Sequence, residues 1–125
     1  MLHTVVETPE YRAQAEREGL TAAERIEIVN YLSKHPTAGD VIPGTGGARK
    51  VRFAGRGKGK SGGYRLITHY ADADIPVFLL SIYGKDQMAN ITDKQKNAFR
   101  SMLMSFPTLW RTMVKQRVRE RRKRK

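Results

Sequence analysis

The first forty residues alternate short apolar runs with polar stretches of helical composition. The Val-rich run from His3 to Glu7 is typical of a strand. Pro9 at a first helical position, with Thr8 before it as N-cap, predicts a helix over residues 10–18. Gly19 is placed where helices commonly end.

A second helix follows directly. Thr21 and Glu24 have the spacing of a capping box, in which each side chain accepts from the other residue's backbone amide. Pro36 ends the run. Between these signals lies an apolar face of helical period formed by Ile26, Ile28, Val29 and Leu32. Two adjacent helices are therefore predicted.

The middle of the chain changes to a strand pattern. Residues 41–47 (VIPGTGG) and 55–63 (GRGKGKSGG) are loops by their glycines. The predicted strands are Arg49 to Phe53, Tyr64 to Tyr70 and Val77 to Tyr83, with a turn at Asp72-Ala-Asp74. Because the Val77 run is apolar at nearly every position, we expect an inner strand covered on both faces.

The last third is helical in pattern. Thr92 and Gln95 form a second capping box, and apolar residues follow at helical spacing from Ala98 to Leu103. Pro107 is expected to interrupt this helix, and the chain is expected to become disordered beyond about Arg119.

The order β-α-α-β-β-β-α predicts an α+β fold. We expect a small, mostly antiparallel four-stranded sheet with an N-terminal helical hairpin and a C-terminal helix, the helices packing on one face. The division expected is a domain over residues 1–106 and a basic C-terminal helix or tail over residues 107–125.

The composition narrows the class of protein. A chain of 125 residues is long enough for one modest core. It has no cysteine, no apolar run of bilayer length and no signal-peptide layout, so we expect a cytoplasmic protein that does not bind membranes.

Charge indicates the partner. The net charge is +12, which favours a polyanion such as nucleic acid. Residues 41–71 contain seven basic and no acidic residues, and residues 111–125 contain nine basic residues and one acid. Anion binding is expected where these cations cluster without acids, at Arg49, Lys50, Arg52, Arg56, Lys58, Lys60 and Arg65.

Two glycine patterns resemble nucleotide sites but lack the context. Gly57 to Gly62 matches G-x-G-x-x-G, yet a strand rather than a helix follows it. A P-loop ending at Ser61 would need glycine at position 54, which is Ala54. No cofactor is therefore expected, and scattered histidines without cysteines predict no metal site.

In combination, four segments resemble the HigB-like branch of the RelE/ParE toxin superfamily. They are Gly46 to Lys50, Gly57 to Arg65, Phe78 to Asp86 and Asn90 to Asp93, within a likeness over roughly residues 20–105. The resemblance implies a compact sheet-and-helix fold, cleavage of mRNA, usually in the ribosomal A site, and neutralisation by a cognate antitoxin. We expect a monomer when free and a higher-order complex with the antitoxin.

The resemblance also implies catalytic residues. Lys50 and Arg52 match the basic pair on the strand after the helices, Arg65 the arginine of a Gly-Tyr-Arg motif, and Lys85 a basic residue after the last strand. The tyrosine of RelE near the C-terminus has no counterpart at Asn90-Ile91-Thr92, where Tyr83 or His69 is a candidate substitute. The expected RNA-binding residues are Arg49, Arg56, Lys58, Lys60, Tyr83 and His69.

RNA supplies its own nucleophile, the 2′-hydroxyl beside the scissile phosphate, so no metal is required. Lys50 is the candidate general base, since the neighbouring Arg49 and Arg52 disfavour a protonated amine. Arg52 and Arg65 are expected to hold the phosphate.

Two other functions stay open. ParE-type relatives share the fold and inhibit DNA gyrase without cutting RNA. A non-catalytic basic RNA-binding protein is the second alternative, although an aromatic content of 8% leaves few stacking platforms. The basic C-terminal block is expected to attract ribosomal or messenger RNA non-specifically.

Overall fold

The computed structural model describes residues 2–54, 63–84 and 92–123. Three helices accompany one five-stranded sheet, which confirms the α+β class. The strands are β1 (Val5–Glu7), β2 (Asp40–Val41), β3 (Arg49–Phe53), β4 (Tyr64–His69) and β5 (Val77–Gly84), in the order β1-β5-β4-β3-β2.

The sheet differs from the predicted one in two respects. β1 pairs with β5 in parallel, whereas the other neighbours are antiparallel, so the sheet is mixed. The prediction of four strands was wrong because β2, only two residues long, leaves no periodic signal and is defined by its pairing with β3. The inner position of β5 is confirmed, with β1 on one side and β4 on the other.

Helices α1 (Pro9–Arg17) and α2 (Ala22–Lys34) begin at the predicted caps. The Thr8 side chain accepts from the Tyr11 amide, and Thr21 and Glu24 form the complete capping box. The expected helical hairpin differs in its packing, because the main contacts of α1 are with β5 and those of α2 with β1. Both helices pack on one sheet face, here called the α1/α2 face, in a core with Val51, Leu66, Val77, Leu79 and Ile82.

Helix α1 also covers the part of β5 that extends beyond the short strand β1. The Gln14 side-chain oxygen accepts from the Ile82 amide at 2.9 Å and from the Ser81 hydroxyl at 2.8 Å. An uncovered strand edge offers its amides to other chains. Gln14 therefore satisfies this edge with a side chain and fixes α1 beside the end of β5.

Helix α3 (Asp93–Lys123) packs on the opposite face of the sheet, here called the α3 face. Its Phe99, Leu103, Phe106 and Trp110 contact a second core that includes Ile67, Phe78 and Leu80. The expectation that all helices share one face was therefore wrong. A helical pattern shows which of its own residues are apolar, and it does not specify which side of the sheet they cover.

Two expectations about the C-terminal region were also wrong. α3 continues through Pro107 without interruption, and it remains helical to Lys123 rather than becoming disordered at Arg119. Phe106 and Trp110 lie on either side of Pro107, and both rings contact Phe78, at centroid distances of 5.1 and 5.8 Å. An interior proline costs roughly 3 kcal/mol, and apolar packing on both sides of it offsets that cost. Within the described ranges, no helix is long and apolar enough to cross a bilayer.

Candidate nucleic-acid site on the sheet

Strand register brings the predicted cations together on the α3 face. Arg52 lies directly opposite Arg65, and Arg65 lies opposite Tyr83, which makes one continuous row across β3, β4 and β5. Lys50 lies opposite Ile67, a residue of the α3-face core. Directly opposed residues point to the same side of a sheet. Lys50, Arg52, Arg65 and Tyr83, here called the cationic row, therefore share one surface.

The cationic row borders an open cleft. Lys50, Arg52 and Arg65 line a cavity of about 430 Å³ at the sheet edge, and its other described lining residues are Tyr31, Gly39, Asp40 and Val51. Arg52 is exposed, while Lys50 and Arg65 are half-buried. Among the described residues, none of these three cations makes an ion pair with a carboxylate. Their charges are available to an anionic group in the cleft.

Asp40 is the acid nearest to this cleft by register, and the sequence pattern gave no indication of it. It lies on β2 directly opposite Lys50. Its carboxylate is not within ion-pair distance of any of the three cations in the described chain. Because β2 consists of two residues, only the strand pairing places a carboxylate beside Lys50.

Tyr83 lies on β5, at the other end of the cationic row from Arg52. Its side chain is 8% exposed. Burial raises the pKa of Tyr83, and the positive charge of Arg65 lowers it to a smaller extent. The phenol therefore remains protonated near neutral pH, so it can donate a hydrogen bond and cannot act as a general base there.

Comparison with known protein families gives a match over nearly the whole chain. A family model described as the RelE toxin of the RelE / RelB toxin–antitoxin system matches residues 5–123. The chain belongs to the RelE toxin family. It is thus the toxin half of a toxin–antitoxin system, and its family implies a cognate antitoxin as protein partner. The match includes the whole of α3, beyond the segment in which the sequence motifs were recognised.

Two residues predicted to bind RNA lie away from the cationic row of this RelE-family toxin. Arg49 alternates with Lys50 and points to the α1/α2 face, where its guanidinium donates to the Gly39 carbonyl at 3.1 Å. His69 is 5% exposed and lies four residues along β4 from Arg65, about 13 Å at ordinary strand rise. Neither residue lines the cleft, although Gly39, which accepts the Arg49 hydrogen bond, does.

The environment of His69 is apolar packing rather than solvent. Its Nε2 atom lies 3.6 Å from the point that a Cβ on Gly47 would occupy, and Phe78 is its neighbour on β5. Burial lowers the pKa of His69, which keeps the ring neutral near neutral pH. Its position fits a core histidine.

The remaining predicted cations lie outside the described residues. They are Arg56, Lys58, Lys60 and Lys85. The described residues nearest to them along the chain include Phe53 and Gly84, which both pair with Tyr64. These three residues lie directly beside the cationic row on β3, β4 and β5. For a metal, the described part of the toxin offers no group of three or more histidines or acids that could hold an ion.

Proposed function

We propose that this RelE-family toxin is a HigB-like endoribonuclease that cleaves mRNA on the ribosome without a metal ion. The observation that supports this is the cationic row: two arginines and a lysine on one sheet face, unpaired with carboxylates in the described chain. Unpaired cations on one surface repel each other, and a bound phosphodiester relieves that repulsion.

The proposed reaction uses the RNA 2′-hydroxyl as nucleophile. Its oxygen loses its proton to a base and attacks the adjacent phosphorus, the bond to the 5′-oxygen breaks, and the leaving oxygen takes up a proton from solvent water. The products are a 2′,3′-cyclic phosphate and a 5′-hydroxyl. Arg52 and Arg65 hold the non-bridging oxygens, where negative charge increases in the transition state. Tyr83, which keeps its proton, is a hydrogen-bond donor toward the same group.

Lys50 is the proposed general base for the 2′-hydroxyl proton. Arg52 and Arg65 lie on the same sheet face as Lys50. Arg49, its neighbour in sequence, points to the other face. Lys85 stays in the proposal through the resemblance of the FLLSIYGKD segment, as the further donor after β5.

The direct test is primer extension on an mRNA translated by purified ribosomes. Wild-type toxin should give discrete cleavage sites. Arg65→Ala should slow cleavage about 10²- to 10³-fold, since it removes one transition-state donor. Arg49→Ala is the matched control, a strand arginine on the opposite face, and should cleave at close to the wild-type rate.

Two results would contradict the proposal. Cleavage by Arg65→Ala at the wild-type rate, with an unchanged circular dichroism spectrum, would remove the cationic row from catalysis. Alternatively, wild-type toxin could leave mRNA intact and inhibit supercoiling by DNA gyrase, which would assign it the ParE-type activity instead.

A further inference from the structure

A second cavity lies beside Tyr83, over β4 and β5 on the α3 face of the sheet. It has a volume of about 290 Å³ and is lined by residues of α1, β4, β5 and the first turns of α3. Its walls are largely apolar, with Ile67, Tyr83, Phe99 and Met102 among them. Ligand pockets commonly measure roughly 300–1,000 Å³, so this one suits a single heteroaromatic ring system.

The polar groups of this cavity are acceptors and amides rather than cations. Glu10, Gln14, Ser81 and Gln95 line it, and its described lining includes no lysine or arginine. Gln14 uses its oxygen on the β5 edge, and Gln95 uses its oxygen on the Thr92 amide. A phosphate would find no positive charge here, so the cavity fits an uncharged group.

Glu10 lines the cavity and has hydrogen-bond acceptor capacity that its described contacts leave unused. Its side chain is exposed, and in the described structure it accepts one long hydrogen bond, 3.5 Å from the Gln14 amide nitrogen. An ionised carboxylate only accepts hydrogen bonds. It therefore favours a ring edge with two adjacent N–H donors. Among the RNA bases, guanine has this edge in N1–H and the N2 amino group, whereas adenine, cytosine and uracil place acceptors beside their donors.

The cavity adjoins the cationic row, because Tyr83 belongs to both. Tyr83 lines the cavity and is directly opposite Arg65, with strand neighbours about 5 Å apart. Proteins that read single-stranded RNA commonly splay a base from the strand, pack it on aromatic side chains and hydrogen-bond its Watson–Crick edge. A phosphate on Arg65 would leave its own nucleoside within reach of this cavity.

We propose that this cavity is a guanine-binding subsite in which Glu10 recognises the N1–H and N2 amino donors of a base next to the phosphate held by the cationic row. Its use in choosing cleavage sites rests on the ribonuclease function proposed above. Base recognition itself does not require cleavage, and it can be measured with mononucleotides.

The experiment is calorimetric titration of wild-type toxin with guanosine, inosine and adenosine 3′-monophosphates. Inosine lacks only the N2 amino group. Guanosine should bind at least about tenfold more tightly than inosine, as expected for a hydrogen bond to a charged acceptor. Glu10→Gln should bring the ratio close to one. Glu16→Gln, an exposed glutamate of the same helix outside the cavity, should leave it unchanged.

A second variant tests whether the base occupies the cavity, independently of the Glu10 carboxylate. Ala98 is exposed on α3 and lines the cavity, so Ala98→Phe should fold and fill it. We expect this variant to weaken guanosine 3′-monophosphate binding about tenfold or more while leaving inorganic phosphate binding unchanged. Unaltered guanosine affinity in Ala98→Phe would overturn the assignment.

The outcomes separate the two proposals. Equal affinity of wild type for guanosine and inosine, or discrimination that persists in Glu10→Gln, would overturn the guanine subsite whatever the cleavage assay shows. Guanine discrimination that depends on Glu10, in a toxin that leaves mRNA intact, would support the subsite and contradict only the ribonuclease function.

Discussion

At the scale of single residues, alternation along a strand was sufficient to place Lys50 and Arg52 on one face, and the register confirms it. The same alternation puts Arg49 on the other face, although its charge alone had grouped it with the cluster. The neighbours across the sheet could not be predicted. Asp40 beside Lys50 and Tyr83 beside Arg65 depend on pairing between segments that are distant in sequence.

His69 shows the limit of predicting chemistry from residue type. A histidine titrates near neutrality in water, which made it a candidate for catalysis. The fold places it in the core at 5% exposure, where the charged form is disfavoured. Its influence is expected on stability rather than on the reaction.

Protonation of His69 should make the stability of the toxin depend on pH. Burial lowers its pKa below 6.5 in the folded state, so the unfolded chain binds more protons as the pH falls through this value. The free energy of unfolding should therefore decrease from pH 7.5 to pH 5.5, as measured by urea denaturation. His69→Gln should flatten this dependence.

His35, an exposed histidine after α2, provides the comparison. His35→Gln should retain the wild-type pH dependence. If His35→Gln flattened it and His69→Gln did not, the buried position of His69 would not be the cause.

At the scale of elements, signals that act within a few residues were predicted correctly. The capping residues Thr8, Thr21 and Thr92 all begin helices, because each side chain accepts from the backbone amide three positions later. The parallel partner of β1, the strand β2 and the side of the sheet covered by α3 depend on tertiary packing. Continuity of α3 through Pro107 also depends on packing, through the contacts of Phe106 and Trp110 with Phe78.

Gly39, just before β2, lies against the backbone of Lys50 in the candidate site. Its φ is +87°, and a Cβ there would collide with the Lys50 carbonyl oxygen and lie 2.8 Å from Val51 Cγ2. Only a residue without a side chain lets the segment before β2 approach β3 so closely. This contact fixes the backbone of Lys50 beside the cleft.

Gly39→Ala should therefore destabilise the toxin by about 2–5 kcal/mol, the sum of left-handed backbone strain and overpacking. Gly19→Ala is the matched control, with a φ of +75° and no atom within 4 Å of the added Cβ. It should cost about 1–2 kcal/mol from strain alone. Chemical denaturation measures both, and equal losses in the two variants would refute the close contact at Gly39.

At the scale of the whole molecule, the charge blocks of the sequence occupy different elements. One contributes the cationic row of the sheet, and the other forms the second half of α3, exposed from Arg111 to Arg122. Arg111 is bound to the turn before β5 through Asp72 and Asp74, at 3.1 and 2.9 Å. The basic residues that follow it on α3 form a surface suited to non-specific RNA attraction.

Removal of residues 119–125 should weaken RNA binding and flatten its salt dependence, since it deletes six basic residues and one acid. Each lost phosphate contact should reduce the slope of log K against log salt concentration by about 0.7 for single-stranded RNA. A variant with Arg121, Arg122 and Lys123 changed to Gln keeps the chain length and should show part of the effect. An unchanged slope in both would exclude this segment from RNA binding.

The cationic row is proposed to promote attack by the RNA's own 2′-hydroxyl. The chemistry of the fragment ends tests this, once the cleavage sites of wild-type toxin on ribosomes are mapped. We predict a 2′,3′-cyclic phosphate on one fragment and a 5′-hydroxyl on the other, with both absent when the nucleotide before the cut is 2′-deoxy. A 3′-hydroxyl and a 5′-phosphate, or cutting of the 2′-deoxy substrate at the same site, would contradict it.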